Sequence, residues 1–134
     1  MNRTICLNAD IGELPGEAGR AMDRAILDVV SRCSIACGGH AGDEESMRAT
    51  LKAARARNVV IGAHPSYPDR QNFGRKTVAM SHEELEMSLR QQVRTLASLA
   101  RLQGVTLDHV KPHGAFYNDA ARDSNLAEIV VRVA

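Results

Sequence analysis

The chain has 134 residues, 44% hydrophobic and 25% charged, which is the composition of one soluble globular domain with an ordinary core. Its 17 Lys and Arg stand against 16 Asp and Glu, a formal charge of +1, with two Phe, two Tyr and no Trp, so neither a basic field for a phosphate backbone nor an aromatic platform for stacked bases is on offer, and nucleic acid is not expected as a partner. No apolar run reaches the roughly 20 residues that span a bilayer, and the amino terminus lacks the charged-then-apolar layout of a signal peptide, so a cytoplasmic protein without a membrane partner is expected.

Thr4 to Leu7 is β-branched and apolar, and gives way at Asn8-Ala9-Asp10 and Gly12; it predicts a buried strand running into a loop. Ala21, Ile26, Val29 and Val30 recur at helical spacing, with Asp23, Arg24 and Asp28 toward the other face, and predict a helix over 21–31. Cys33 to Cys37 is a second apolar strand, broken by Gly38-Gly39. With Cys6 the cysteines are odd in number and lack a second CxxC-like pair, so they read as reduced core thiols. Asp43 is a natural N-cap for a helix over 44–57, in which Met47, Leu51 and Ala54 form a stripe. Acids in its first turn and bases in its last suit the helix macrodipole.

Val59 to Gly62 forms a third strand, stopped by Ala63-His64-Pro65 because the residue before proline is pushed away from helix. A long loop runs to about residue 79. Ser81 and Glu84 then make a capping box for a helix carrying Leu85, Leu89, Val93, Leu96 and Leu99 to a stop at Gly104. Thr106 to Val110 is a fourth strand, ended by Lys111-Pro112-His113-Gly114, and a last helix starts near Asn125. Strands alternating with helices make βαβ units and a parallel sheet, either open and doubly wound or a barrel. Four strands would leave bare edges or an unclosed barrel, so the chain reads as part of a larger fold.

In parallel α/β architectures the loops leaving the strands' carboxyl ends build the site. The first strand discharges Asn8, Asp10 and Glu13, the second His40 and Asp43, the third His64 and Asp69, and the fourth Lys111, His113, Tyr117 and Asn118. Singly, Asp10 is a turn-former, Asp43 a cap and Lys111 a surface charge. Their gathering at one end of every strand is the functional signal. His82, in the first turn of a helix at the opposite end, reads as surface. The glycine runs match neither GxGxxG nor GxxxxGK[ST], so no nucleotide loop is encoded. Asp and neutral His bind a divalent metal or pass protons, and a Lys ammonium stabilises an oxyanion. The set suggests amide or ester hydrolysis, by metal-assisted or general-base water.

The strings Leu7-Asn-Ala-Asp-Ile-Gly-Glu13, Ile35-Ala-Cys-Gly-Gly-His-Ala-Gly-Asp43, Gly62-Ala-His-Pro-Ser-Tyr-Pro-Asp69, Phe73-Gly-Arg75 and His109-Val-Lys-Pro-His-Gly-Ala-Phe-Tyr-Asn118 resemble the LamB/YcsF family, the A subunits of 5-oxoprolinase. The resemblance covers essentially the whole chain and about the first half of a usual family member. It implies that residues 1–134 are one partial domain of a seven-stranded β/α barrel of the glycoside hydrolase/deacetylase type. It also implies opening of 5-oxoproline to L-glutamate with ATP as co-substrate, bound by or with partner subunits B and C.

Carried over by motif position, Asp10 and His64 are the base and the water-positioning or metal-ligand pair, while Lys111 and His113 stabilise the oxyanion and protonate the leaving amine. Asn8, Glu13, His40, Asp69, Arg75 and Asn118 line the pocket, with Arg75 the partner for the substrate carboxylate. A divalent metal would fall to Asp10, His40 and His64. The chain departs from the family pattern at Cys6, Ser34 and Lys76, where an acidic residue, Asn and Arg are usual; the first two bear on hydrogen bonding around Asp10 or His40. Two other readings fit the same residues: a non-catalytic remnant serving assembly or binding, and a metal-dependent deacetylase-like amidohydrolase. An unclosed parallel sheet exposes strand edges and interior, so isolated chains are expected to self-associate. Sedimentation showing a monodisperse monomer would contradict this.

Overall fold

The computed structural model describes residues 5–134. Its elements are β1 (Asn8–Ile11), α1 (Gly16–Leu27), β2 (Arg32–Ala36), α2 (Glu44–Arg55), β3 (Val60–His64), α3 (His82–Leu102), β4 (His109–Val110), α4 (Gly114–Ala120) and α5 (Ser124–Val133). The strands form one parallel sheet in the order β1-β2-β3-β4.

Side chains alternate across a strand, so register decides which residues share a face. Ile11, Ile35, Ala63 and Val110 pair in one row, and Ala9, Cys33 and Ile61 in the next. All belong to or pack against a core that also takes Leu27 from α1, Met47, Leu51 and Ala54 from α2, and Leu96, Leu99 and Ala100 from α3. The first three helices therefore cover the same face of the sheet. The opposite face carries Asp10, Ser34, Gly62 and His109 in one row, with Asn8 and His64 two residues to either side on their strands. Helices outside and a polar face inside is the layout of a β/α barrel wall rather than of a doubly wound sheet. On this inner face the His109 ring lies across Gly62, where an added Cβ would collide with it.

The same rule corrects the expected first strand. Ladder pairing lies at Asn8–Ile11, and Ile5 and Leu7 are exposed, while Thr4 lies outside the described residues. Asn8 and Asp10 are thus strand residues whose polar faces look inward, not loop residues that follow a strand. His64 likewise closes β3, and β4 shortens to two residues. Helix α1 begins earlier than its apolar spacing suggests, at Gly16, and ends before Val29. Helix α4 replaces an expected loop after Gly114. The Asp43 cap and the Ser81–Glu84 capping box form as expected. Cys33 and Cys37 are buried thiols pushed up to about 12 by burial. Cys6 is instead exposed and beside Ser31 Oγ at 3.1 Å, away from Asp10. Among the described residues no helix is long and apolar enough to cross a membrane.

A second core joins Leu85 and Leu89 of α3 to Tyr67, Phe116, Ile129 and Val133, which anchors α4 and α5 beneath the loop after β3. That loop is pinned at Ser66, whose N–H donates to Gln92 Oε1 at 3.0 Å and whose carbonyl accepts from Gln92 Nε2 at 2.9 Å. Both groups are buried. Gln92→Leu should destabilise the fold by about 1–3 kcal/mol for each Ser66 backbone group left without a partner. A urea midpoint equal to that of the parent would contradict the clamp.

Candidate active site at the carboxyl ends of the strands

Four chain segments deliver the site. The inward alternation of β1 presents Asp10, and the turn at Gly12, whose N–H donates to Asp23 Oδ2 at 3.0 Å, brings Glu13 back over the sheet end. The loop after β2 buries His40, and β3 ends on His64. Past β4, Lys111 N–H donates to Ala63 O at 2.9 Å and His113 N–H to Pro65 O at 2.8 Å, which extends the pairing until His113 caps α4.

These residues meet. Lys111 Nζ lies 2.7 Å from Asp10 Oδ1, and Asp10 Oδ2 lies 3.3 Å from His64 Nε2. His64 Nε2 is 3.0 Å from His113 Nδ1. Glu13 Oε1 is 2.9 Å from His40 Nε2, 3.5 Å from His113 Nδ1 and 3.8 Å from His64 Nε2. The His40 and His113 rings stack at 3.6 Å, with Phe73 edge-on to both. The outer nitrogens are tied to main chain: His64 Nδ1–H donates to Lys111 O at 2.6 Å and His113 Nε2–H to Phe73 O at 2.8 Å.

Burial opposes ionisation of Asp10, but its contacts with His64 and the Lys111 ammonium outweigh it and hold the carboxyl well below the usual range. Glu13 is lowered likewise, its burial overcome by His40 and the neighbouring imidazoles. Burial, reinforced by the neighbouring imidazoles of His40 and His64, pushes His113 down against its bond to Phe73 O and the pull of Glu13. Two carboxylates and an imidazole that favours its neutral form thus meet in one cluster. Glu13, His40, His64 and His113 each offer one donor atom, and these atoms lie within 4.8 Å of one another. Imidazole nitrogens with a carboxylate suit a divalent cation. The expected metal set named Asp10 with His40 and His64; the compact group brings in Glu13 and His113, with Asp10 flanking it.

Two clefts open on the cluster. One, of about 190 Å³, is lined by Glu13, His40, Asp43, Arg70 and Phe73; the other, of about 250 Å³, by Asp10, His64, Lys111, His113, Tyr117 and Asn118. Three expected pocket residues serve elsewhere. Asn8 bonds Ser34 and His109 two residues down β1, which is also where the Ser34 departure acts. Asp69 accepts from Asn72 N and Nδ2 and shapes the loop. Arg75 lies over the Phe73 ring at 5.3 Å and lines neither cleft. Phe73, which stands in the Phe73-Gly-Arg75 string without a role, supplies a carbonyl and a ring to the cluster, and Arg70, outside the motif strings, bonds Gly38 O and Gly42 O through Nη1 at the first cleft. Phe73 has φ 54°, a left-handed conformation rare for a bulky residue that turns its carbonyl toward His113.

The LamB/YcsF family model matches residues 5–134. The 5-oxoprolinase A subunit of Chloroflexus aggregans is 50% identical over 129 residues, which are 96% of this chain and 51% of that protein. Its counterpart of the same name in Methylococcus capsulatus is 47% identical over 130 residues, 97% of this chain and 50% of the other. The crystal structure of lactam utilization protein from Thermus thermophilus superposes with a TM-score of 0.91 at 37% identity, covering 98% of this chain and 53% of that one. The chain spans about half the length of the relatives it matches.

Gly74, at φ 63°, leaves no room for a side chain: a Cβ there would lie 2.8 Å from His40 Cβ and 3.0 Å from His113 Cδ2. Gly74→Ala should therefore cost about 1–2 kcal/mol of left-handed strain alone and should move the imidazole NMR resonances of His40 and His113 but not of exposed His82. Unmoved His40 and His113 resonances would contradict this packing.

Proposed function

The chain belongs to the LamB/YcsF family, and from that premise and the cluster around His64 we propose that it supplies the hydrolytic site of the A subunit of 5-oxoprolinase, opening 5-oxoproline to L-glutamate. ATP hydrolysis, carried by or with subunits B and C, would activate the lactam. A sequence holding neither GxGxxG nor GxxxxGK[ST] suits that division of labour. The observation that carries the reading is the Lys111–Asp10–His64–His113 chain of contacts in the more open cleft.

Ring opening needs three services. Water must lose a proton as its oxygen bonds to the lactam carbonyl carbon. The carbonyl oxygen must be stabilised as it gains charge. The ring nitrogen must gain a proton as the C–N bond breaks, so that one water is consumed per glutamate. In the proposed assignment His64 Nε2, whose other nitrogen is committed to Lys111 O, takes the proton with Asp10 stabilising the charge. The Lys111 ammonium, aimed by its bond to Asp10, faces the developing oxyanion. His113 Nδ1, 3.0 Å from His64 Nε2, relays the proton to the departing amine. A divalent cation bound here would make the attacking water more acidic. Asn118 and Tyr117 line the same cleft and would contact the rest of the substrate.

Glutamate release from 5-oxoproline and ATP, with B and C subunits added, tests the assignment. Lys111→Ala should lower turnover by about 10²–10³-fold, the scale of losing one oxyanion donor. Turnover within a few-fold of the parent would remove Lys111 from the chemistry. A folded parent chain that assembles with both partners and releases no glutamate would move the protein to the binding-module reading.

A further inference from the structure

Hydrogen positions at the cluster are fixed by elementary valence. A carbonyl oxygen only accepts, so the 2.6 Å contact of His64 Nδ1 with Lys111 O places hydrogen on Nδ1, and the 2.8 Å contact of His113 Nε2 with Phe73 O places it on Nε2. In a neutral imidazole the other nitrogen is then a bare lone pair. His64 Nε2 and His113 Nδ1 are consequently two acceptors facing each other at 3.0 Å, with His64 only 1% exposed. Asp10 Oδ2 stands 3.3 Å from His64 Nε2, and Glu13 Oε1 3.5 Å from His113 Nδ1. None of these four atoms brings a hydrogen. One extra proton would satisfy a single contact and leave the remaining acceptors opposed, which is costly where, as at His64 and His113, the atoms are buried.

We propose that the cluster is a binding site for a divalent first-row transition ion, with His64 Nε2, His113 Nδ1 and the Glu13 carboxylate as ligands and Asp10 as the adjacent carboxylate. Spacing supports it. Two nitrogens each about 2.0–2.1 Å from an ion are about 2.9 Å apart at a right angle and about 3.3 Å apart at the tetrahedral angle; these two are 3.0 Å apart. Donor chemistry selects the class, because two imidazoles and a carboxylate suit zinc, iron or nickel over magnesium or calcium. The surrounding shell is in place as well. Main-chain carbonyls hold both imidazoles in the ligating tautomer, and His40 Nε2–H steadies Glu13 at 2.9 Å. This inference deepens the hydrolytic reading, on which it rests, by leaving Asp10, rather than the imidazoles, to take the water's proton and return it to the departing ring nitrogen.

The test is titration of the purified, chelator-stripped chain with Zn²⁺ and Co²⁺ by calorimetry, with elemental analysis after dialysis and the visible Co²⁺ spectrum as separate readouts. One equivalent of each ion should bind, and Mg²⁺ in excess should not displace it. His64→Gln, His113→Asn and Glu13→Gln, each checked for fold by circular dichroism, should abolish the stoichiometric site or weaken it more than His40→Ala does. His40→Ala should weaken it by about 10–100-fold, the scale of an outer-shell partner. His82→Ala, at an exposed helix end, should change nothing. No stoichiometric binding by the folded parent, or binding that survives the His64 and His113 changes, would overturn the site. A chain that binds one equivalent through these residues yet releases no glutamate with B and C keeps the metal site while the 5-oxoproline reading falls. Full turnover by chelated, metal-free protein that also shows no stoichiometric binding would do the reverse.

Discussion

Two main-chain carbonyls, those of Lys111 and Phe73, determine what the cluster can do. Each accepts the hydrogen of one imidazole and so strips the opposite nitrogen of any hydrogen to give. Those stripped nitrogens are pointed at one another and at two ionised carboxylates. The Phe73 carbonyl reaches His113 only because the chain accepts a left-handed conformation there, and Gly74 follows in the same region to let both imidazoles pack close. Such strain persists where surrounding structure over-determines it. Here the surroundings are the Ser66–Gln92 clamp and the Ala115 N–H bonded to Gly74 O at 2.9 Å.

The sheet supplies the other constraint. Parallel register gathers the apolar side chains of every strand against α1, α2 and α3, and leaves Asn8, Asp10, Ser34, His64 and His109 on the inward face. Stability and chemistry are thereby assigned to opposite faces of the same strands. Ile11 is core and Asp10, its neighbour, is site; Ala63 is core and His64 is site. Because strands that alternate between core and site are rigid elements, the reactive groups are held more closely than loops alone would hold them.

The alternation of strands and helices, the two N-terminal caps and the meeting of Asp10, Glu13, His40, His64, Lys111 and His113 were legible in the residues, because capping chemistry and strand-end polarity are local signals. The true start of β1 was not. A strand whose inward face is polar presents Asn8 and Asp10 as though they were loop, and the apolar run before them looks more strand-like than the ladder itself. Helix α4 was hidden by Pro112 and Gly114, which read as terminators. Asp69 and Arg75 matched the expected polarity of a pocket but are taken up by Asn72 and the Phe73 ring. No sequence pattern announces a positive φ at Phe73, so its carbonyl could not be foreseen as the partner of His113.

Charge connects these parts. Asp10 and Glu13 bring two negative charges, and Lys111 returns one positive, so the cluster with neutral imidazoles is net negative. A net negative pocket repels an anionic substrate, and 5-oxoproline, the proposed substrate, carries a carboxylate at neutral pH. Placing a divalent ion between His64 and His113 reverses the sign of the pocket, satisfies the opposed acceptors and leaves the Lys111 ammonium free to meet an oxyanion. Arg70 at the neighbouring cleft then adds a further positive charge, held by Gly38 O and Gly42 O beside the cluster rather than inside it. Under the proposed reading, a cluster that would repel an anionic substrate without the ion and attract it with the ion would make metal occupancy and substrate recognition one electrostatic event.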